Sequence, residues 1–248
     1  MKNKKKPALP LNEEVEVSPG LIVERRSVLS GILALIACGK AGLVNAANIS
    51  FADFLASANP LAQDLIGDVT ADGQDQYLRA IGALAAQLAD VPLPAAFNNT
   101  NQGVTPESYQ IGFNPGGDPF TVLHWRLEPG AVCRPHAHTY GNVISVGLEG
   151  LVRVSNYEVL GEPDYADDST FQVQQTVDQL LGPGDTNFVS LERNYIHGFV
   201  AGPDGARGLD ITTRLKPRPE HSTPFLDIGT NQQNEFLRTY EASWIYYD

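Results

Sequence analysis

The pattern of apolar and polar positions changes character once along the chain, near residue 105. Between residues 50 and 94 the apolar residues recur at helical spacing. "SFADFLASANPLAQDLIG" predicts a short helix broken near Pro60, because proline lacks the amide N–H that the helical ladder uses. "QDQYLRAIGALAAQLADV" places Leu78, Ile81, Leu84 or Ala85, and Leu88 on one face of a second helix. "PLPAAFNNTNQGVTP" is a linker of turn formers. From about residue 108 to 215 short apolar runs replace the helical pattern. The predicted strands are "SYQIGF", "FTVLHWRL", "NVISVGL", "LVRVSNYE", "TFQVQQ", "VDQLL", "TNFVSL", "IHGFVA" and "RGLDITTRL". The breaks between them hold "NPGGDP", "EPG", "GPGD" and "GPDGA". Many short strands with no helix between them predict an antiparallel sandwich or barrel of the jelly-roll kind. After Pro219 comes an irregular stretch, then "NQQNEFLRTYEASW", predicted as a short C-terminal helix.

Charge changes this picture at the N-terminus. The chain has 248 residues and a formal net charge of −12. Its first 40 residues hold seven of the 17 basic and four of the 29 acidic residues, so the remainder carries a net of −15. A body this acidic excludes nucleic acid and anionic membrane surfaces as expected partners. The basic start reads as a targeting segment over residues 1–47. "MKNKKK" opens it, "ERRSVLS" follows, and "VLSGILALIACG" is too short an apolar run to span a bilayer permanently. Small residues in "LVNAA" offer a cleavage site. Arg25 and Arg26 before a moderate apolar run resemble a twin-arginine export signal, and Lys40 after the run fits. That resemblance implies use of the export machinery, transport in a folded state, and a periplasmic or extracellular destination. "LIAC" also resembles a lipoprotein box, with Cys38 as the lipid-anchored residue. Once the signal is removed only Cys133 remains, so no internal disulfide is expected in that compartment.

The candidate chemistry lies in "CRPHAHTYGNVISVGLEG", residues 133–150. Alternate residues of a strand point to the same side, so His136 and His138 present two imidazoles to one face. His197 follows in "NYIHGFVA", on a strand announced by "GPGD". A barrel can bring such distant strands face to face. Neutral imidazole suits Fe, Cu, Ni and Zn alike, so the three residues predict a metal site without naming the metal. His124 alternates with Leu123, Trp125 and Leu127 and is expected to point away from them with Arg126, in outer-sheet or surface packing. His221 is expected in a solvated loop. Tyr140 and Tyr195 each stand two residues from a proposed ligand and are candidate proton sources. Glu149 would reach the site only if the strand register slipped.

Gly130, His136, His138, Val143 and Gly150 at their spacing resemble the first cupin motif, and "GPGDTNFVSLERNYIH" is similar to the second, with Gly184 in the turn. The second departs from the pattern: Ser190 stands near the usual proline and the gap to His197 is longer. The resemblance covers about 110 residues and implies a single cupin barrel, so the fold class is mainly β with N-terminal helices and a short C-terminal helix. The domain reading is 1–47 signal, 48–104 helical segment and linker, 105–216 cupin barrel, and 217–248 C-terminal extension.

Most metal cupins carry a glutamate ligand at the position of Val143, which cannot coordinate anything. Three histidines without that acid resemble the thiol dioxygenases, which hold Fe(II) and convert a thiol to a sulfinic acid with O2. The resemblance implies a small-molecule thiol as substrate and Fe(II), or another divalent ion, as cofactor. A divalent ion on three neutral ligands keeps its charge and favours an anionic partner such as a thiolate. Two departures from that family stand out. Val143 forbids the Cys–Tyr cross-link of several cysteine dioxygenases. "DITTR" supplies Asp210, Thr212 and Arg214 where a Ser-His-Tyr set would fall. Counting back from His136 brings the substrate-carboxylate position to Gln110, which resembles the branch favouring 3-mercaptopropionate; Arg214 is a second substrate-side candidate. The alternatives are a non-catalytic cupin that binds a metal or ligand, and a cupin enzyme of other chemistry.

Overall fold

The computed structural model describes residues 48–67, 69–99, 109–114, 120–161, 170–217, 224–234 and 236–246. They fall within one compact unit, Asn45–Asp248. The segment 1–47 expected to direct targeting, with Arg25, Arg26 and Cys38, and His221 lie outside the described residues.

The chain order is β1 (Ile49–Ser50), α1 (Phe51–Gly67), α2 (Ala71–Ala85), β2 (Leu88–Asp90), β3 (Asn98–Asn99), β4 (Tyr109–Asn114), β5 (Phe120–Leu127), β6 (Val132–Ala137), β7 (Gly141–Val159), β8 (Phe171–Leu181), β9 (Thr186–Val189), β10 (Ile196–Arg214), β11 (Phe225–Asn234) and β12 (Thr239–Ile245). Ser50 caps α1: its hydroxyl accepts the Asp53 N–H at 3.1 Å and donates to the Asp53 carboxylate at 2.7 Å. Thr70 caps α2 by accepting the Gly73 N–H at 3.1 Å. Pro60 lies inside α1 and does not break it, contrary to the sequence expectation. Phe54 and Ala58 before the proline and Ala62 and Leu65 after it are all buried on one face. That shared burial keeps one continuous helix across the single missing hydrogen bond. Leu78, Ile81 and Ala85 are buried as expected on α2, whereas Leu88 begins β2 and pairs with Ile49.

The strands form a closed antiparallel barrel, as the strand texture predicted. One circuit runs β10–β6–β11–β12–β8–β7 and back to β10. The strands β7 and β10 are each 19 residues long, and each replaces two shorter predicted strands. They stay paired with one another from end to end, with a bulge between Ala201 and Ala206. Gly150 (φ +69°) and Gly205 (φ +75°) meet at this bulge. A Cβ on Gly150 would collide with the Gly205 carbonyl oxygen. Only glycine permits both the backbone conformation and the contact. A bulge bends the strand that carries it, so β7 and β10 turn together at this point.

Alternation sorts the rest. Ile144 and Val146 of β7, Leu209 and Ile211 of β10, and Val122 of β5 share a core cluster with α1 and α2, so both helices cover the outside of this sheet. Their neighbours face inward. Trp125, Leu127, Cys133, Val152, Val154, Leu181 and Phe199 form an apolar floor within the barrel, with Trp125 and Phe199 stacked at 5.3 Å.

Among the described residues the C-terminal segment holds no helix. Residues of the predicted helix lie in β11 and β12, which form an antiparallel hairpin; β12 also pairs with β8, and Phe225 pairs with His136 of β6. Thr239, Ala242 and Trp244 are buried, and Ala242 and Trp244 join Leu226 in a third apolar cluster. Closing the wall between β6 and β8 outweighs the helix-forming residues of this stretch. Residues 225–245 are thus part of the barrel rather than an extension from it.

Candidate metal centre

Strand register brings the predicted ligands together. His136 on β6 is the direct partner of His197 on β10. Directly paired residues of an antiparallel sheet share a face, and the two rings lie 4.7 Å apart. His138 follows two residues after His136, just past β6, where its N–H donates to the Tyr195 carbonyl at 2.8 Å and keeps the strand direction. Its ring is 4.9 Å from that of His136 and 4.7 Å from that of His197. Gly198 makes the approach of β6 and β10 feasible, because a Cβ there would lie 2.8 Å from the Pro135 nitrogen.

One nitrogen from each of the three rings lies within 4.8 Å of the other two. His138 Nε2 and His197 Nε2 are 2.9 Å apart. Metal–imidazole bonds of about 2.0–2.1 Å put cis ligand nitrogens about 3 Å apart, so the spacing fits one shared ion. Two imidazole nitrogens this close either share one proton or turn both lone pairs to a cation. The tautomer of His136 is set by its backbone: Nδ1 lies 3.0 Å from the Arg134 carbonyl, to which it donates, leaving Nε2 with its lone pair. His197 Nδ1 lies 3.4 Å from Ser145 Oγ. Burial lowers the pKa of all three rings. For His138 and His197 the fall is large, with the charge of neighbouring histidines adding to the burial. All three are therefore neutral at pH 7, the form in which imidazole binds a metal. His136 and His197 are buried and His138 is half-buried, so access is from the His138 side. Phe199 packs against His197 at 4.8 Å and closes the site from below.

Sequence reasoning missed Asp210 as a site residue. It lies on the inward face of β10, in register with Ser145 of β7 and Leu123 of β5. Its side chain is buried; Oδ1 accepts the Trp125 Nε1–H at 3.2 Å, and Oδ2 lies 3.8 Å from His197 Nε2. Burial pushes its pKa up to about 7 against the hydrogen bonds from Ser145 and Trp125. An acid between Leu209 and Ile211 in "GLDITTRL" was the available signal, since a carboxylate is rarely fully buried without a partner. Val143 is buried, in register with Thr212 and two residues from Ser145 on the same inward face.

The other predicted residues are placed as follows. Tyr140 sits in the turn after His138, half-buried, and its carbonyl accepts the N–H groups of Leu215 and Lys216 at 2.9 Å. Tyr195 is half-buried and packs against the cluster containing Ala137, Tyr157 and Ile196. Arg214 ends β10 opposite Gly141, exposed, in the same alternating row as Asp210 and Thr212, which places it at the mouth of the barrel. Gln110 holds a register position on β4 opposite Arg126 of β5. His124 points to the outer face as expected but is fully buried, edge-on to Phe97 at 6.2 Å. Glu149 is exposed and pairs with Arg207 at 2.5 Å, away from the site.

No family profile and no curated protein matches this chain. Solved structures do. KdgF from Halomonas sp. is 20% identical with a TM-score of 0.34, covering 50% of this chain and 90% of that one. A cupin of the RmlC-like kind from Shewanella frigidimarina is 21% identical with a TM-score of 0.34, over 50% of this chain and 86% of its own. The polyketide cyclase RemF from Streptomyces resistomycificus is 19% identical with a TM-score of 0.36, over 53% and 83%.

Proposed function

We propose that the chain is an exported mononuclear iron cupin that oxidises a small thiol to a sulfinic acid. The observation that carries the metal assignment is the convergence of His136, His138 and His197 within a buried, half-open site, with all three rings held neutral. Three imidazoles accept Fe(II) and other divalent ions alike, and the choice of Fe(II) follows the resemblance to the thiol dioxygenases. Among the described residues, the group of potential ligands whose donor atoms lie mutually within 4.8 Å contains no acid.

Iron, when bound, would supply positions for a thiolate and O2 and the redox capacity that joins them. The net change adds both atoms of O2 to one thiol, RSH + O2 giving RSO2H, so no other reductant is needed. The protein's own contribution is positional. The Arg134 carbonyl orients His136, and Ser145 orients His197. Phe199 and Trp125 exclude water from below. Arg214 at the mouth offers a guanidinium to a substrate carboxylate. Gln110, Tyr140 and Tyr195 enter the proposal as substrate-side and proton-donating candidates.

The test is oxygen uptake by the iron-loaded mature protein with cysteine, 3-mercaptopropionate and cysteamine, with sulfinate measured as product. The expected result is turnover, with 3-mercaptopropionate or a larger thiol ahead of cysteine. Metal binding without uptake with any thiol would overturn the dioxygenase reading in favour of a binding protein or a cupin of other chemistry.

A further inference from the structure

We infer that Gln74 of α2 is a positioning residue for the metal centre, because it holds the loop Ser190–Tyr195 that joins β9 to the strand carrying His197. The inference rests on the reading that the three histidines hold a metal, and not on the thiol chemistry.

The loop links two of the ligands. Its last carbonyl, that of Tyr195, accepts the His138 N–H at 2.8 Å. Two residues on, His197 takes its place opposite His136 of β6 and Asn156 of β7. A displacement of the loop is therefore passed to His138 through one hydrogen bond and to His197 through two residues of backbone. The Nε2 atoms of those two rings stand 2.9 Å apart, and one shared ion requires that spacing to stay near about 3 Å.

Side chains fix this loop, since the ladder of β10 begins only at Ile196. Ser190 closes the turn on itself. Its N–H donates to the Arg193 carbonyl at 2.9 Å, and its hydroxyl accepts the N–H groups of Arg193 at 2.9 Å and Glu192 at 3.3 Å. Asn194 takes the left-handed conformation (φ +55°), and its N–H donates to the Glu158 carboxylate at 3.0 Å. The Leu191 N–H is shared between two side-chain oxygens, Gln74 Oε1 at 3.1 Å and Asn142 Oδ1 at 3.3 Å.

Gln74 is 1% exposed, in the first turn of α2. Its Nε2 donates to the Val69 carbonyl at 3.3 Å. With a carbonyl on one side and the Leu191 N–H on the other, only one orientation of the amide satisfies both. A buried amide paired at both ends specifies one placement of its partners, because any other leaves polar groups unpaired away from water. Arg193, 3.4 Å from Asp75, joins the loop to the same turn of α2, but that exposed pair adds little. The apolar face of α2 covers the barrel, and its buried glutamine reaches past that cover to the loop that sets the ligands.

Two measurements on the full-length protein test this. Gln74→Met keeps the length of the side chain and removes the acceptor. It should bind cobalt(II) about 5-fold more weakly or worse, with altered d–d bands; a purely structural glutamine would lower the melting temperature and leave the bands as they are. The second measurement does not depend on the variant folding. Metal binding and loop closure favour each other by the same factor. Zinc(II), which is diamagnetic, should therefore slow hydrogen exchange of the wild-type Leu191 amide by about 5-fold or more relative to the metal-free protein. An unchanged cobalt(II) dissociation constant and spectrum in Gln74→Met, or unchanged Leu191 exchange in the wild type with zinc(II) bound, would overturn the inference. Loss of binding in His136→Ala alongside either result would leave the three-histidine reading intact. A wild type that binds neither metal would remove both.

Discussion

His138 and His197 stand 59 residues apart in the chain, and their Nε2 atoms stand 2.9 Å apart in the fold. That contact exists because His197 is the register partner of His136, and His138 is the next residue on the same face. Removing any one ring should therefore empty the site. His136→Ala and His197→Ala are each expected to weaken divalent-metal binding by roughly 100-fold or more, measured as metal per chain after dialysis. His124→Ala should leave occupancy unchanged, since His124 lies on the outer face of β5. Full occupancy in His197→Ala would sink the three-histidine site.

Acid should weaken the fold through His124. Burial lowers its pKa to about 4, with the charge of Arg207 adding to the effect. The folded state thus holds His124 neutral where the unfolded chain, titrating near 6.5, takes up a proton. The stabilisation is complete above 6.5 and is lost as pH falls from 6.5 toward about 4. The cost at pH 4.5 is about 2 kcal/mol. Urea melts of His124→Leu and the wild type, both with a chelator present, separate this from the metal site. The gap between them should change by about that amount from pH 7.5 to 4.5; parallel curves would show that His124 does not titrate this way.

Two glycines of the first motif should respond differently to alanine. A methyl group placed on Gly130 (φ +70°) meets nothing within 4 Å, whereas the same methyl on Gly150 (φ +69°) meets the Gly205 carbonyl. Gly130→Ala should cost about 1 kcal/mol, the strain of the left-handed backbone alone. Gly150→Ala adds a backbone clash at the bend of β7 and β10 and should cost about 3 kcal/mol or more. Equal losses in denaturant unfolding would mean that the bend tolerates widening.

Export is tested at the paired arginines. A chain with both Arg25→Lys and Arg26→Lys is expected to accumulate as cytoplasmic precursor, because the twin-arginine route reads the pair and not its charge. Normal processing of that variant would assign the signal to another route. A mature form beginning at Cys38 and carrying lipid would establish anchoring instead.

Periodicity and turn chemistry made much of this protein legible. The bounds of β5 are those of "FTVLHWRL", and the outward turn of His124 follows from alternation alone, because period two is a local property of extended backbone. The HxH pair announced two ligands on one face for the same reason. What the tertiary structure decided is whatever depends on partners distant in the chain. Pro60 stays inside α1 because residues on both sides of it are buried against the barrel. Residues 231–244 are predicted as a helix, yet the described ones lie largely in strands, because β6 and β8 offered open edges that β11 and β12 close. Asp210 became a neighbour of His197 only when β7 and β10 turned together at Gly150 and Gly205. Sequence shows an acid beside Leu209 and Ile211; the tertiary structure determines that its carboxylate lies beside His197.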